Sequence, residues 1–377
     1  MDRHVKLSRI SRAGSAVLVG ALALTLAACG SDDPTGSGSA SPEGSDASGS
    51  LSGTLSGAGA SSQESAMEAW RAGFQSQNPD VTINYDPAGS GAGREQFLAG
   101  GVAFAGSDAA LDDEELTASQ EVCGPDGAID IPVYVSPIAV AFNLPGVESL
   151  NLAPATIAGI FSGKITTWND PAIAADNPDV ELPDTAVTPV HRLDDSGTTE
   201  NFTEYLAATA PDVWTWEADG VFPEDISGGE SAQGTSGVVQ AVQSAEGAIT
   251  YADASKVGEL ATAAIKVGEE WVPFSPEAAA ATVEASPRVE GRHEHDIAVE
   301  IDRTTTEAGV YPLVLVSYGV ACLNYADAEQ GELVKGFLSY IVSDEGQQAA
   351  ADAAGSAPLS EGIATDAQAA IEAITVG

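Results

Sequence analysis

Three short stretches of the chain combine glycine, small hydroxyl side chains and the start of a helix-like pattern. They are Gly57-Ala58-Gly59-Ala60-Ser61-Ser62-Gln63-Glu64, Gly89-Ser90-Gly91-Ala92-Gly93-Arg94 and Arg192-Leu193-Asp194-Asp195-Ser196-Gly197-Thr198-Thr199. Taken singly, each is an ordinary helix cap, and Ser61 with Glu64 has the spacing of a capping box. Taken together they suggest anion chemistry. A helix amino end offers unpaired N–H groups and a partial positive charge, which suit a small oxyanion. Hydroxyls add rotatable donors, and glycine lets backbone approach closely. Arg94 and Arg192 sit at two of these junctions. Arg192 can grip an oxyanion with its planar fork while Asp194 holds it in place; the alternative is a surface ion pair contributing little. No GxxxxGK[ST] sequence occurs, so none of these loops is a Walker A.

Asp108, in Phe104-Ala105-Gly106-Ser107-Asp108, follows an apolar strand-like run. It could simply cap a turn. In an anion site, a carboxylate makes sense only when the anion carries a proton. Hydrogen phosphate has an O–H at neutral pH and sulfate has none. A site that demands a ligand O–H can reject an analogue lacking it by about 10⁴-fold or more. Asp108 would then supply selectivity rather than affinity.

The elements that must position these residues alternate. Val81–Tyr85, Ile131–Val135, Ile138–Phe142 and Tyr311–Val316 read as extended segments. Ser65–Gln75, Asn201–Leu206, Gly234–Ser244 and Glu332–Val342 read as helices. Alternation of this kind predicts α/β layers. The 377 residues suit about two domains, and 44% hydrophobic content is enough for a core. A net charge of −42 excludes a nucleic-acid binder and disfavours adhesion to anionic lipid.

The amino terminus reads as an address. Arg3, Lys6, Arg9 and Arg12 precede an apolar run from Ala13 to Ala28, and Leu26-Ala27-Ala28-Cys29-Gly30 resembles a bacterial lipobox. Residues 1–28 are expected to be a signal peptide, and Cys29 the lipidated first residue of a chain anchored on the extracytoplasmic face of the cell membrane. The Gly, Ser, Pro and Asp of residues 30–50 form a flexible tether. Cys123 and Cys322 are the two remaining cysteines, for which a disulfide is the natural reading in an oxidising compartment and two separate buried thiols the alternative. His293-Glu294-His295-Asp296 could attract a surface metal, but ligands two apart without further support are weak.

From Leu51 onward the sequence resembles the phosphate-binding protein family of the ABC-type phosphate importer, in its actinobacterial form. The resemblance rests on GAGA at 57–60, GSGAG at 89–93, FAGSDAAL at 104–111, FSGKITTWNDPAIAADNP at 161–178, HRLDDSGTTENFTEYL at 191–206 and GTSGVVQAVQSAEGAITYAD at 234–253. It implies a two-lobed periplasmic-binding-protein fold of the type II, Venus-flytrap kind, with inorganic phosphate bound between lobes. Lobe one is expected at 51–136 plus 308–377 and lobe two at 137–307. By position, Ser61, Ser62, Ser90, Asp108, Arg192, Ser196, Gly197 and Thr198 would contact phosphate, with Asp194 supporting Arg192. The family usually has Thr-Phe-Pro after GAGA. Here Ser61-Ser62-Gln63 stands instead, which keeps the hydroxyl and the N–H. The resemblance further implies a monomer that hands phosphate to a membrane permease, with no catalytic set, metal or cofactor. The competing readings are a phosphatase on the same cleft and a phosphate sensor or adhesin.

Overall fold

The structure, a computed structural model, describes residues 51–377. The expected signal peptide, Cys29 and the tether lie outside the described residues.

The described chain opens with β1 (Gly53–Gly59), α1 (Glu64–Gln77), β2 (Val81–Asp86), α2 (Ser90–Leu98), β3 (Phe104–Ser107), α3 (Asp113–Cys123) and the long β4 (Ala128–Phe142). It continues through β5 (Ser149–Leu152), α4 (Pro154–Phe161), α5 (Pro171–Asp176), β6 (Thr188–Arg192), α6 (Gly197–Thr209), β7 (Glu230–Ala232), α7 (Gly234–Ser244), β8 (Ala248–Asp253), β9 (Ala261–Val267), β10 (Glu270–Val272) and α8 (Pro276–Ala285). It returns through β11 (Val314–Cys322) to β12 (Asn324–Tyr325), α9 (Ala328–Val342), α10 (Asp344–Ala354), α11 (Glu361–Ala373) and β13 (Thr375–Val376).

Most strands form one path, β2-β1-β3-β11-β4-β8-β6-β7. The β2-β1-β3 half is parallel, and β11 inserts antiparallel between β3 and β4. Beyond β4, β8 runs antiparallel and β6 and β7 follow in parallel, while β9 joins the end of β4 and carries β5 and β10. The result is the mixed α/β, two-lobed architecture expected from the sequence.

β4 belongs to both halves, and its sequence shows how. All of its residues are buried on both faces, so it shows no polar alternation, and the few polar residues in it, Asp130 and Ser136, are buried with the rest. The sequence reading gives two extended segments within it, Ile131–Val135, which already runs through Pro132, and Ile138–Phe142, parted at Ser136-Pro137; proline is normally excluded from central strands. The structure puts each proline where a ladder bond is already lost. Pro132 pairs with Tyr318 beside a register shift at Ser317/Tyr318, and Pro137 stands where β4 changes partner from β11 to β8. β11 also starts later than the apolar run suggested. Tyr311–Leu313 precede it, and the Tyr311 amide is bonded outside the sheet, to the Ala278 carbonyl.

Helix faces follow the apolar spacing. Ala66, Met67, Trp70 and Phe74 of α1 are buried, and Phe74 meets Phe337 of α9 edge-on at 5.5 Å. The Trp70 indole donates to the Gly346 carbonyl at 2.8 Å, which fixes α1 against α10. Cys123 and Cys322 form a disulfide between the ends of α3 and β11, with Cα atoms 5.0 Å apart. Among the described residues no helix is long and apolar enough to cross a membrane.

Candidate functional site

Each glycine-rich junction ends a strand and starts a helix, and their amino ends come together. Gly59 closes β1 at φ +145°, and a Cβ there would lie 1.9 Å from the Gly106 carbonyl, so only glycine fits beside β3. Ser61 and Ser62 follow and are buried. The capping box does not form. Gln63 is the N-cap of α1 and makes no side-chain cap bond. The Ser61 hydroxyl instead crosses to α7, where it accepts from the Thr235 amide at 3.0 Å and meets the Thr235 hydroxyl at 3.0 Å. Glu64 pairs with Lys256 at 2.8 Å rather than with the cap.

Arg192 ends β6 with its side chain only 2% exposed. Its Nε donates to Asp194 Oδ1 at 2.9 Å, its Nη2 pairs with Asp194 Oδ2, and its Nη1 lies 3.5 Å from the Thr235 hydroxyl. Asp194 also accepts from the Gly234 amide at 3.0 Å, so one carboxylate fixes both the guanidinium and the start of α7. Ser196 is the N-cap of α6 and accepts from the Thr199 amide at 3.3 Å. Gly197 is squeezed against the other half of the sheet. A Cβ there would lie 2.8 Å from both the Asp108 Cβ and the Ser90 hydroxyl.

Asp108 lies where these elements meet, 3% exposed. Its Oδ1 accepts from Ser62 at 2.6 Å and Ser317 at 2.6 Å. Its Oδ2 accepts from Ser62 at 2.7 Å and Thr198 at 2.9 Å. Ser90 receives the Asp108 amide at 3.1 Å, and Asn201 donates to the Asp108 carbonyl at 2.7 Å. The amino ends of α1, α2, α6 and α7 therefore converge on a patch carrying the Arg192 guanidinium with its Asp194 partner, the carboxylate of Asp108 and several hydroxyls. Such a patch can hold a tetrahedral oxyanion with donors on most sides and an acceptor on one.

Ser61, Ser62, Ser90, Asp108, Arg192, Asp194, Ser196, Gly197 and Thr198 thus lie in one cluster. Arg94 does not point there with Arg192. Its Nε donates to Glu115 at 2.8 Å, its Nη1 to Ser107 at 3.2 Å, and its Nη2 lies 4.0 Å from Asp195. Around it Glu200 is pushed up to about 7, by burial and by the negative charges of Glu204, Asp195 and Glu115 acting against Arg94. Sequence reasoning missed Thr235, Asn201 and Ser317. Gly234-Thr235-Ser236-Gly237 repeats the glycine-and-hydroxyl pattern ahead of a helix, so Thr235 was detectable; Ser317 carries no local signal. A cavity of about 570 Å³ lined by Leu111, Glu204, Arg292 and Arg303 adjoins Asp108 and Asn201. It is far larger than a tetrahedral anion, and the tight polar cluster is the better candidate. His293 and His295 lie beside each other, but Asp296 turns to Arg292 at 3.3 Å. No group of three or more His, Cys, Asp or Glu among the described residues could hold a metal.

Two α/β lobes joined through the shared strand β4, with convergent helix amino ends, define a periplasmic binding protein. Consistent with this, the sequence model of the PBP superfamily domain matches residues 44–345. The chain is 36% identical over 345 residues to phosphate-binding protein PstS 3 of Mycobacterium tuberculosis (strain CDC 1551 / Oshkosh), covering 89% of this chain and 91% of the relative. It is 35% identical over 380 residues to PstS 2 of Mycobacterium tuberculosis (strain ATCC 25618 / H37Rv), covering 97% and 100%. The chain belongs to the PstS family of phosphate-binding proteins. Its fold is similar to that of a high-affinity periplasmic phosphate-binding protein, PfluDING, solved with phosphate (TM-score 0.67, 22% identity, 84% of this chain and 93% of that one). It is also similar to a phosphate ABC transporter substrate-binding protein from Clostridium perfringens (TM-score 0.57, 22% identity, 80% and 98%).

Proposed function

We propose that this protein captures hydrogen phosphate outside the cytoplasm and delivers it to the membrane permease of an ABC importer, binding without turnover. The observation that carries this reading is one cluster of convergent helix amino ends that holds both a guanidinium, Arg192 fixed by Asp194, and a separate buried carboxylate, Asp108. Arg192 and the donors of Ser61, Ser62, Ser90, Ser196, Gly197 and Thr198 take the phosphate oxygens. Asp194 fixes the guanidinium. Asp108 accepts the ligand's O–H and repels an anion lacking one. Exclusion of water from the closed cleft strengthens each of these contacts.

Residues 51–136 with 308–377 act as lobe one and 137–307 as lobe two, and the crossings near Ser136 and Thr306–Val310 bend as hinges. Contacts from Ser61 to Thr235 and from Thr198 to Asp108 span these lobes, which supports a ligand-linked closure. Cys29 anchors the monomer to the membrane through its lipid, and residues 30–50 give ~25 Å of root-mean-square reach.

The test is calorimetric titration of residues 30–377, unfolded and refolded to strip bound anion, first with phosphate and then with sulfate at neutral pH. Micromolar or tighter phosphate binding with silent sulfate is expected. A folded sample that ignores phosphate refutes the proposal.

A further inference from the structure

We infer that Ser317, on β11, is a specificity-determining residue of the anion site that acts through Asp108; this rests on the phosphate reading of that site. β3 and β11 run antiparallel with Ser107 opposite Tyr318, so Asp108, the first residue past β3, falls opposite Ser317. The Ser317 hydroxyl is fully buried and donates to Asp108 Oδ1 at 2.6 Å. It sits at the register shift between β11 and β4. Such irregularities commonly re-aim a side chain next to a functional site.

The consequence is a count of lone pairs. An ionised carboxylate has about four acceptor positions. Ser62, Ser317 and Thr198 each bring one hydroxyl proton. Ser62 lies within reach of both oxygens, at 2.6 and 2.7 Å, but can serve only one at a time. Ser317 is within reach of Oδ1 and Thr198 of Oδ2. When Ser62 also serves Oδ1, that oxygen is filled, and the single remaining acceptor position is on Oδ2, on the side of Thr198 and α6. One vacancy accepts one O–H, which is what distinguishes hydrogen phosphate from sulfate. Without Ser317 only Ser62 and Thr198 remain, two acceptor positions stand open, at least one of them on Oδ1, and the acceptor is no longer aimed at one place.

Ser317→Ala should weaken phosphate binding about tenfold and narrow the phosphate-to-sulfate ratio by a similar factor, whereas Ser317→Thr, which keeps the hydroxyl, should restore both. The decisive measurement is a double-mutant cycle with Asp108→Asn, read by calorimetry with phosphate and sulfate. If Ser317 acts through Asp108, adding Ser317→Ala to Asp108→Asn changes phosphate affinity less than twofold. An equal loss in both backgrounds makes Ser317 merely structural and overturns the inference, as does an unchanged ratio in Ser317→Ala alone. Should Ser317→Ala not fold, Ser317→Cys, of similar volume but a weak donor, takes its place in the same cycle. Failure of the parent protein to bind phosphate would instead refute the underlying functional reading and the inference with it.

Discussion

Removing Asp194 should separate the stability of the site from its affinity. The side chains of Arg192 and Asp194 are 2% and 9% exposed, and Asp194 accepts from two guanidinium nitrogens and from the first amide of α7. Asp194→Ala leaves a buried guanidinium without its partner and an orphaned helix amide. Breaking a buried pair on one side costs about 3–5 kcal/mol. With an unfolding entropy of about 0.7 kcal/mol/K for a chain of this size, Tm falls by about 4–7 °C. Phosphate binding suffers less, because removing a negative charge from beside the anion offsets the loss of guanidinium orientation; a change under about tenfold, or 1.4 kcal/mol, is expected. Arg192→Met should behave differently. It orphans Asp194 and so also destabilises, but it also takes away the two charge-assisted hydrogen bonds proposed for Arg192 with phosphate, each contributing about 1.5–3 kcal/mol. Phosphate affinity then falls by more than about 100-fold. Urea melts and calorimetry on both variants decide the matter. Asp194→Ala within about 1 kcal/mol of the parent, or Arg192→Met retaining phosphate affinity within about tenfold, would refute the assignment of these two roles.

Other expectations follow from the same geometry. Asp108→Asn should keep phosphate binding but admit sulfate as a competitor, and a sulfate titration that stays silent sinks the acceptor role of Asp108. Glu200 is raised by burial from 4.5 to about 7, so the folded protein holds a proton that the unfolded chain has lost. That stabilisation is complete below about 4.5 and vanishes as pH rises through about 7. Asp253, raised by burial to about 6, and Asp130, raised to about 8 by burial and the nearby charge of Asp296, act with the same sign. Stability measured from pH 5 to 8 should therefore decline, and Glu200→Gln should flatten the part below about 7; an identical slope in the variant counts against the cluster around Arg94. The disulfide closes a sequence separation of 199 residues, and reducing it, or replacing both Cys123 and Cys322 with Ala, should lower unfolding stability by about 5 kcal/mol. Denaturation midpoints that do not move on reduction would contradict this.

What could be read from sequence was local. Arg192, Asp194 and Ser196–Thr198 lie within seven consecutive residues, from the end of β6 to the start of α6, so their chemistry and the helix start were visible together. α7 was placed at its observed bounds because Val238, Val239 and Val242 mark its buried face. What escaped depended on partners distant along the chain. Ser61 looked like a cap for α1, yet its hydroxyl is used 174 residues away at Thr235. Ser317 meets Asp108 across a separation of 209, through strand register that no window of residues encodes. β4 reads locally as two segments parted at Ser136-Pro137, whereas a change of partner from β11 to β8 carries one strand through that proline. Arg94 was grouped with Arg192 by composition, but Glu115 of α3 draws its guanidinium aside.

The position of β11 governs the order in which the molecule can be completed. During synthesis, β3 and β4 emerge early, but the strand that joins them ends only at Cys322. At about 5–20 residues per second, the ribosome takes roughly 10–40 s to travel from the end of β4 to the end of β11. Throughout that interval β3 and β4 each present an unpaired edge, Cys123 has no partner, and Asp108 lacks one of its hydroxyls. A chain that stops short of residue 322 therefore cannot join β3 to β4 or give Asp108 its Ser317 partner, and the core side chains of α9, α10 and α11 follow later still.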